Sequence, residues 1–343
     1  MSSDISRQRF DPTKNFSSVL MQQGRVQLDA DWNEWSDILG RRRRSETIDV
    51  IGRGVVPLET PNGFEIQISG TGLTIGRGRI YVDGLQAENH GAGDQEFDPI
   101  LGESRGLDPI PYGEQPYFPG APEAPAQGGP HLVYLDVWER ETTAVEHPDL
   151  REVALGGPDT TTRRQTIWQV RVLPDVGNGA TCATADEQLP GWLDLIRPSA
   201  GRLTTRAIGV ASPEDPCLIP PSGGYRGLEN QTYRVEIHQA GPAGTATFKW
   251  SHDNASVATG VSKIEGNNVL TVDRLVWDSV RRFSPGDWVE ISDDVLEFSL
   301  APGEIRKIAS VDDASRTITL AVALTNGLFP VNGQNLTDPE RHT

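Results

Sequence analysis

Apolar residues in the first fifty positions change their period once. Phe10, Phe16, Val19, Leu20 and Met21 are scattered through a stretch that Pro12 and Gly24 keep from forming a long helix. A terminal arm this rich in apolar side chains needs something to dock against. After Asp29 the spacing turns helical. Trp32, Trp35, Ile38 and Leu39 recur at helical intervals, Asp29 or Asp31 can serve as N-cap, and Glu34 follows Asp31 by three residues. The pattern predicts an arm and one amphipathic helix, from about residue 30 to about residue 49, forming an N-terminal docking segment over residues 1–50.

Beyond residue 51 the period falls to two. Phe64-Glu65-Ile66-Gln67-Ile68 alternates, and Leu73-Thr74-Ile75 and Ile80-Tyr81-Val82 follow between glycines. His131 through Arg140 is the clearest strand in the chain, with Ile167 through Leu173 as its partner. These elements predict a first β domain over residues 51–176. Its insertion at 91–130 is dense in Pro and Gly and reads as a long loop. An irregular connector spans 177–232. From Tyr233 to Leu320 short strands recur at the interval expected of a small barrel or sandwich, a C-terminal domain over 233–343. Trp138, Trp168, Trp250 and Trp288 fall inside strands and are expected in the core. The fold class is mainly β: an arm, one helix and two small β domains with long Pro/Gly-rich loops.

Composition sharpens this picture. With 36 Gly and 25 Pro among 343 residues, the chain is turn-rich. A formal charge of −17 argues against a nucleic-acid partner, because phosphate contacts need clustered cations, and it disfavours an anionic membrane surface. No apolar run approaches the about 18 residues of a membrane span, so no membrane insertion is expected. The N-terminus lacks a basic region followed by an apolar stretch, which makes the cytoplasm the expected site of synthesis and residence. The run Arg41 to Arg44 fits a solvated helix face near its C-terminal end better than a basic patch for an acidic partner, and could also be a subunit contact. Cys182 and Cys217 could form one disulfide, which spacing alone leaves open.

Catalytic motifs are missing. The six histidines form no metal-ligand set, and there is no G-x-S-x-G or His-activated Cys. Asp29-x-Asp31 could begin a calcium loop, but the glycine and terminal Glu of an EF-hand are missing, and helix capping is the more economical account. Pairs of carboxylates are many, as they must be among 48 acids, so none singles itself out as a glycosidase pair. No catalytic residue, cofactor or metal is expected.

The stretch Arg9-Phe10-Asp11-Pro12, with Val19-Leu20-Met21-Gln22-Gln23-Gly24-Arg25-Val26-Gln27-Leu28-Asp29-Ala30-Asp31-Trp32-Asn33-Glu34, resembles a bacterial family of uncharacterised proteins. Its members sit among genes for phage-tail-like contractile injection systems. Residues 229–238 and Thr247-Phe248-Lys249-Trp250-Ser251 are similar to the same family; the likeness covers most of the chain in order, and the 91–130 insertion carries none of it. The resemblance implies a structural component of such a particle, at the baseplate or its fibres. Its partners would be baseplate, tube or sheath proteins and further copies of itself. It would be assembled in the cytoplasm into a particle that is then released or surface-anchored. Family members often continue past the equivalent of Thr343.

Phe10, Phe16, Leu20, Met21, Trp32 and Trp35 are the expected buried anchors of docking, with Arg9 and Arg25 as polar clamps. The plainer alternative is that the arm packs on its own β domain. Two other functions stay open: a glycan- or receptor-binding adhesin, which needs exposed aromatics on one β face, and a tip-associated hydrolase, which needs two close carboxylates in a cleft.

Overall fold

The computed structural model describes residues 5–6, 9–69, 72–98, 103–121, 129–204, 233–252, 257–275 and 282–329. Helix α1 (Asp29–Val50) follows the arm. Strands β1 (Gly54–Val55), β2 (Ile66–Ser69), β3 (Gly72–Ile75), β4 (Gly78–Val82) and β5 (Leu85–Asn89) come next. Then follow β6 (Ala92–Asp98), β7 (Glu103–Asp108), β8 (Ile110–Pro111), β9 (Leu132–Thr142) and β10 (Arg163–Leu173), and the short helix α2 (Trp192–Ile196). The rest is β11 (Tyr233–Gln239), β12 (Thr247–His252), β13 (Val261–Glu265), β14 (Val269–Val272), β15 (Trp288–Ile291), helix α3 (Asp294–Phe298), β16 (Glu304–Asp312) and β17 (Thr317–Leu320). The protein is mainly β, as its period-two patterning predicts.

The described strands pair in six antiparallel sheets: β1–β4–β5, β2–β3–β8, β6–β7, β9–β10, β11–β12, and β13–β14–β17–β16–β15. The chain divides into two compact units. One comprises residues Met1–Arg197 with Val257–Thr343; the other is Pro198–Ser256.

The first unit has two cores. In one, Trp168 and Val170 of β10 pack with Phe64, Leu73, Ile75, Ala87, Ile110 and Tyr112. Trp168 is anchored at both ends: its indole N–H donates to Glu88 O at 2.8 Å, and the Phe64 ring meets it edge-on at 4.9 Å. The other core lies on the five-stranded sheet and is built from Ile264, Leu270, Val272, Ile291, Ile308, Ile318, Leu320, Leu324 and Phe329. Alternation along β14 and β17 sends every second side chain into it.

Strand β10 ties the two cores together because both of its faces are covered. Ile167 and Gln169 point away from the Trp168 core, yet both are fully buried. The amide of Gln169 donates to Phe298 O of α3 at 3.0 Å and also to Tyr117 O. Beside it, Arg140 of β9 reaches Glu146 at 2.6 Å and Glu297 of α3 at 3.1 Å, with its guanidinium 4.5 Å from the Phe298 ring. This buried cluster latches α3, which lies between β15 and β16 of the five-stranded sheet, onto β9–β10.

Three sequence expectations need correction. First, residues 91–130 are not simply a loop. Strands β6 and β7 pair as a hairpin and β8 joins β3, while Ile110, Tyr112 and Gln115 are buried. Pro111 is tolerated because it lies on an edge strand, where its missing N–H breaks no ladder on the open side. Gly106 permits the tight approach, since a Cβ would lie 2.4 Å from Ala92 N. Second, Trp168 is buried and Trp138 half-buried, but Trp250 and Trp288 are 64% and 67% exposed. Third, α1 has no acidic N-cap. Leu28 occupies that position without a side-chain bond, and Asp29 and Asp31 lie within the first turn, where they complement the helix dipole.

Candidate docking surface

The arm is pinned to its own helix at two points. Asn33 Nδ2 donates to Ser6 Oγ at 3.2 Å, and Arg9 Nη1 lies 2.9 Å from Asp31 Oδ1. A single 3-10 turn, Pro12–Lys14, then redirects the chain. Asp11 caps it, accepting from Thr13 N at 3.0 Å and from Thr13 Oγ1 at 2.6 Å. These bonds hold the Asp11 carboxyl below its usual range. Asn15 closes the turn in the left-handed conformation, φ 56°.

Past this turn the apolar side chains point outward. Phe16, Leu20, Met21, Val26 and Leu28 are all exposed, Leu20 at 85%. Between Val19 and Gln27 the arm folds on itself about Gly24, φ +71°, forming a hollow lined by Leu20, Met21, Arg25, Val26 and Asp31.

The helix continues this surface. Leu28, Trp32, Trp35 and Leu39 recur at steps of four, three and four residues, which places them in one line along α1. All four are exposed, and the Trp32 and Trp35 rings touch at 5.3 Å. The other side of α1 is the one that packs. Ile38 is 1% exposed, Asp37 pairs with Arg164 of β10 at 3.1 Å, and Arg44 Nε donates to Asp83 O at 2.8 Å. Gly84 lets the β4–β5 turn press against the helix, since a Cβ there would meet Arg44 O at 2.6 Å.

The expected anchors Phe16, Leu20, Met21, Trp32 and Trp35 are therefore all exposed, while Phe10 is half-buried beside Arg9. Arg9 is engaged by its own chain and Arg25 is exposed in the hollow. Sequence reasoning missed Val26, Leu28 and Leu39 as members of this surface. The regular steps from 28 to 39 were the available signal. Cys182 is exposed, and Cys217 lies outside the described residues, as does any pairing between them.

Two carboxylates do meet, but not at an open cleft. Glu146 and Glu297 share the Arg140 guanidinium, and Glu146 is 3% exposed and accepts further bonds from Thr142 Oγ1 and Thr143 N. Among the described residues no group of three or more His, Cys, Asp or Glu side chains is placed to hold a metal ion. Among them, too, no helix is long and apolar enough to cross a membrane.

A family model described as "Family of unknown function (DUF6519)" matches residues 1–209 and 199–343. The chain belongs to this family. No curated protein and no solved structure matches it. The DUF6519 match takes in the arm, α1 and both β regions, so the exposed surface lies within the family's own sequence and not on an appended segment.

Proposed function

We propose that the protein is a non-enzymatic structural component of a phage-tail-like contractile injection particle, docking at the baseplate or its fibres through the arm and the exposed side of α1. The observation that carries docking is the line Phe16, Leu20, Met21, Leu28, Trp32, Trp35 and Leu39, apolar and exposed along an arm held to its helix by two polar tethers. Exposed apolar side chains gathered in one segment of the chain suit an interaction site, and the aromatic ones suit interface hot spots. The resemblance of residues 9–34 to proteins encoded beside contractile injection systems supplies the identity of the partner.

The test is to tag the native gene, purify the protein from producing cells, and combine electron microscopy with mass spectrometry of what co-purifies. Sheath and tube proteins, with the tag at one end of rod-shaped particles, are the expected result. A protein that purifies without them overturns the assembly role. Leu20→Asp separates docking from folding: it is expected to leave the melting temperature of the isolated protein unchanged and to abolish incorporation. A lowered melting temperature would instead mean that the arm packs on its own β domain.

An adhesin is the second reading, favoured by one observation. Tyr233, Phe248 and Trp250 stand exposed on one face of the β11–β12 ribbon. Binding of the isolated protein to cell-wall or glycan arrays would support it.

A further inference from the structure

We propose that Asn178-Gly179 is a site of spontaneous covalent modification, at which the side-chain amide of Asn178 is lost and a carboxylate takes its place. The proposal stands apart from the particle reading and uses no residue of the arm or of α1.

The chain itself carries the chemistry. The main-chain nitrogen that follows an Asn can attack the Asn Cγ once its proton has gone to solvent base. The N–Cγ bond forms, the Cγ–Nδ2 bond breaks, and the departing nitrogen takes up a proton and leaves as ammonia. A cyclic imide remains. Water from solvent then opens it at either carbonyl. One opening gives Asp in an ordinary chain; the other gives Asp joined through its side chain, with one more carbon in the main chain. Asn and water have become Asp and ammonia, and nothing is oxidised or reduced. Closure needs a next residue without a side chain in the way, an N–H not held by a carbonyl, and a main chain free to rotate.

Asn-Gly occurs at 62–63, 178–179, 326–327 and 332–333, the last outside the described residues. The fold treats the other three differently. Gly63 is buried, its N–H donates to Thr60 O at 2.9 Å, and a Cβ there would lie 2.5 Å from Arg79 O. Asn62 O accepts from Glu65 N at 3.0 Å, and the next residue, Phe64, stands in the core. This pair fails on the last two conditions. Asn326-Gly327 is exposed, but its turn spans the short gap between the core residues Leu324 and Phe329. The Asn326 amide is also engaged, its Oδ1 accepting from Asn267 Nδ2 at 3.4 Å.

Asn178-Gly179 meets every condition. Residues 177–179 are exposed, and a Cβ on Gly177 or Gly179 would meet nothing within 4 Å. Among the described residues the Gly179 N–H and the Asn178 side chain have no hydrogen-bond partner. One bond closes the turn, Ala180 N donating to Gly177 O at 3.2 Å. Val176 is buried, and the next buried residue is Leu189, so the chain beyond the turn is anchored far away. Rotation into the attacking geometry therefore disturbs one exposed hydrogen bond and no packing.

The test is to incubate the full chain in mildly alkaline buffer made with heavy-oxygen water and to map peptides by mass spectrometry at intervals. Oxygen incorporated during incubation marks each amide lost. Asn178 is expected to react first, faster than Asn62 on the order of tenfold or more and faster than Asn326. Methylation by a repair enzyme that recognises side-chain-linked Asp should map to the same peptide. Isoelectric focusing of the intact protein should show a new acidic band that N178Q, whose longer side chain closes a ring poorly, delays. In denaturant the three pairs should react at similar rates, because the ranking belongs to the fold.

An Asn178 that keeps its amide as long as Asn62 does overturns the proposal, as does an acidic band that appears unchanged in N178Q. A ranking that survives in denaturant also overturns it, since neighbouring sequence and not the open turn would then set the rate.

Discussion

Arg140→Met perturbs a charged node between β9 and α3, where the two cores of the first unit meet. Arg140 and Met have similar apolar stems, so the change removes the guanidinium and keeps most of the packing. Glu146 and Glu297 lose their shared cation, at 2.6 and 3.1 Å, in surroundings where their side chains are 3% and 17% exposed. Breaking a buried ion pair by removing one partner costs about 3–5 kcal/mol, because the remaining charge is left uncompensated. Two details place this case near the lower end. Glu146 keeps bonds from Thr142 Oγ1 at 2.8 Å and Thr143 N at 3.3 Å, and Glu297 stands on a five-residue helix that can turn it toward water. Loss of the guanidinium over the Phe298 ring adds about 0.5–1 kcal/mol. The expected total is about 3–4 kcal/mol. At roughly 2–4 °C per kcal/mol for a domain of this size, the melting temperature should fall by roughly 6–16 °C.

Calorimetry of wild type, R140M, E297Q and the double variant gives the assay. Since Arg140 and Glu297 touch, their effects should not add, and the double variant should be less destabilised than the sum of the singles. Additive effects, or a fall of less than about 2 °C in R140M, would show that α3 is held by the Gln169–Phe298 bond and the Tyr117–Phe298 ring contact instead. R140M with both glutamates changed to Gln should recover much of the loss, because the node is then neutral throughout.

Two further outcomes are expected. Ile38→Ala empties the one large, fully buried side chain of α1 and should cost about 2–5 kcal/mol in denaturant unfolding; a cost below about 1 kcal/mol would mean that α1 does not pack on its β domain through this residue. For Glu236, burial alone would raise the carboxyl, but bonds from Lys249 and Arg234 outweigh it and hold it below 4.5. Its contribution to the ribbon is therefore full above the unfolded value and lost as pH falls through the lowered one. A carboxyl-carbon NMR titration should place the midpoint under 4.5, and a midpoint at or above that value refutes the two-cation cluster.

What could be read in advance follows from how local each cause is. Helix α1 was legible to within a residue at each end because its spacing and first-turn acids are local signals. Strands β9 and β10 were legible from their runs of β-branched and aromatic residues, although β10 begins at Arg163, ahead of the expected Ile167. The β6–β7 hairpin was not. Its strands carry little apolar alternation, and what fixes them is remote: Arg105 of β7 is buried against Glu88 of β5, and Arg77 donates to Gly106 O. Trp250 and Trp288 show a different failure. Alternation tells which side of a strand a residue occupies and is silent on whether anything covers that side. The anchors of the docking surface were named from the arm's excess of apolar residues. The tethers joining Arg9 to Asp31 and Ser6 to Asn33 span more than twenty positions, and no local pattern marks them.

The two exposed apolar surfaces differ in how they are prepared for a partner, and the difference follows from their polar contacts. Among the described residues, an ion pair and one side-chain hydrogen bond join the arm to α1, contacts worth about 0–1 kcal/mol each. Ordering a free chain costs about 1–2 kcal/mol per residue in backbone entropy, so tethers this weak leave much of the arm's ordering to be met by the partner. If the arm docks as proposed, Phe16, Leu20, Met21 and Val26, all exposed, would supply the combined apolar area. The ribbon, by contrast, is fixed by its ladder and by the Glu236 cluster before any partner arrives.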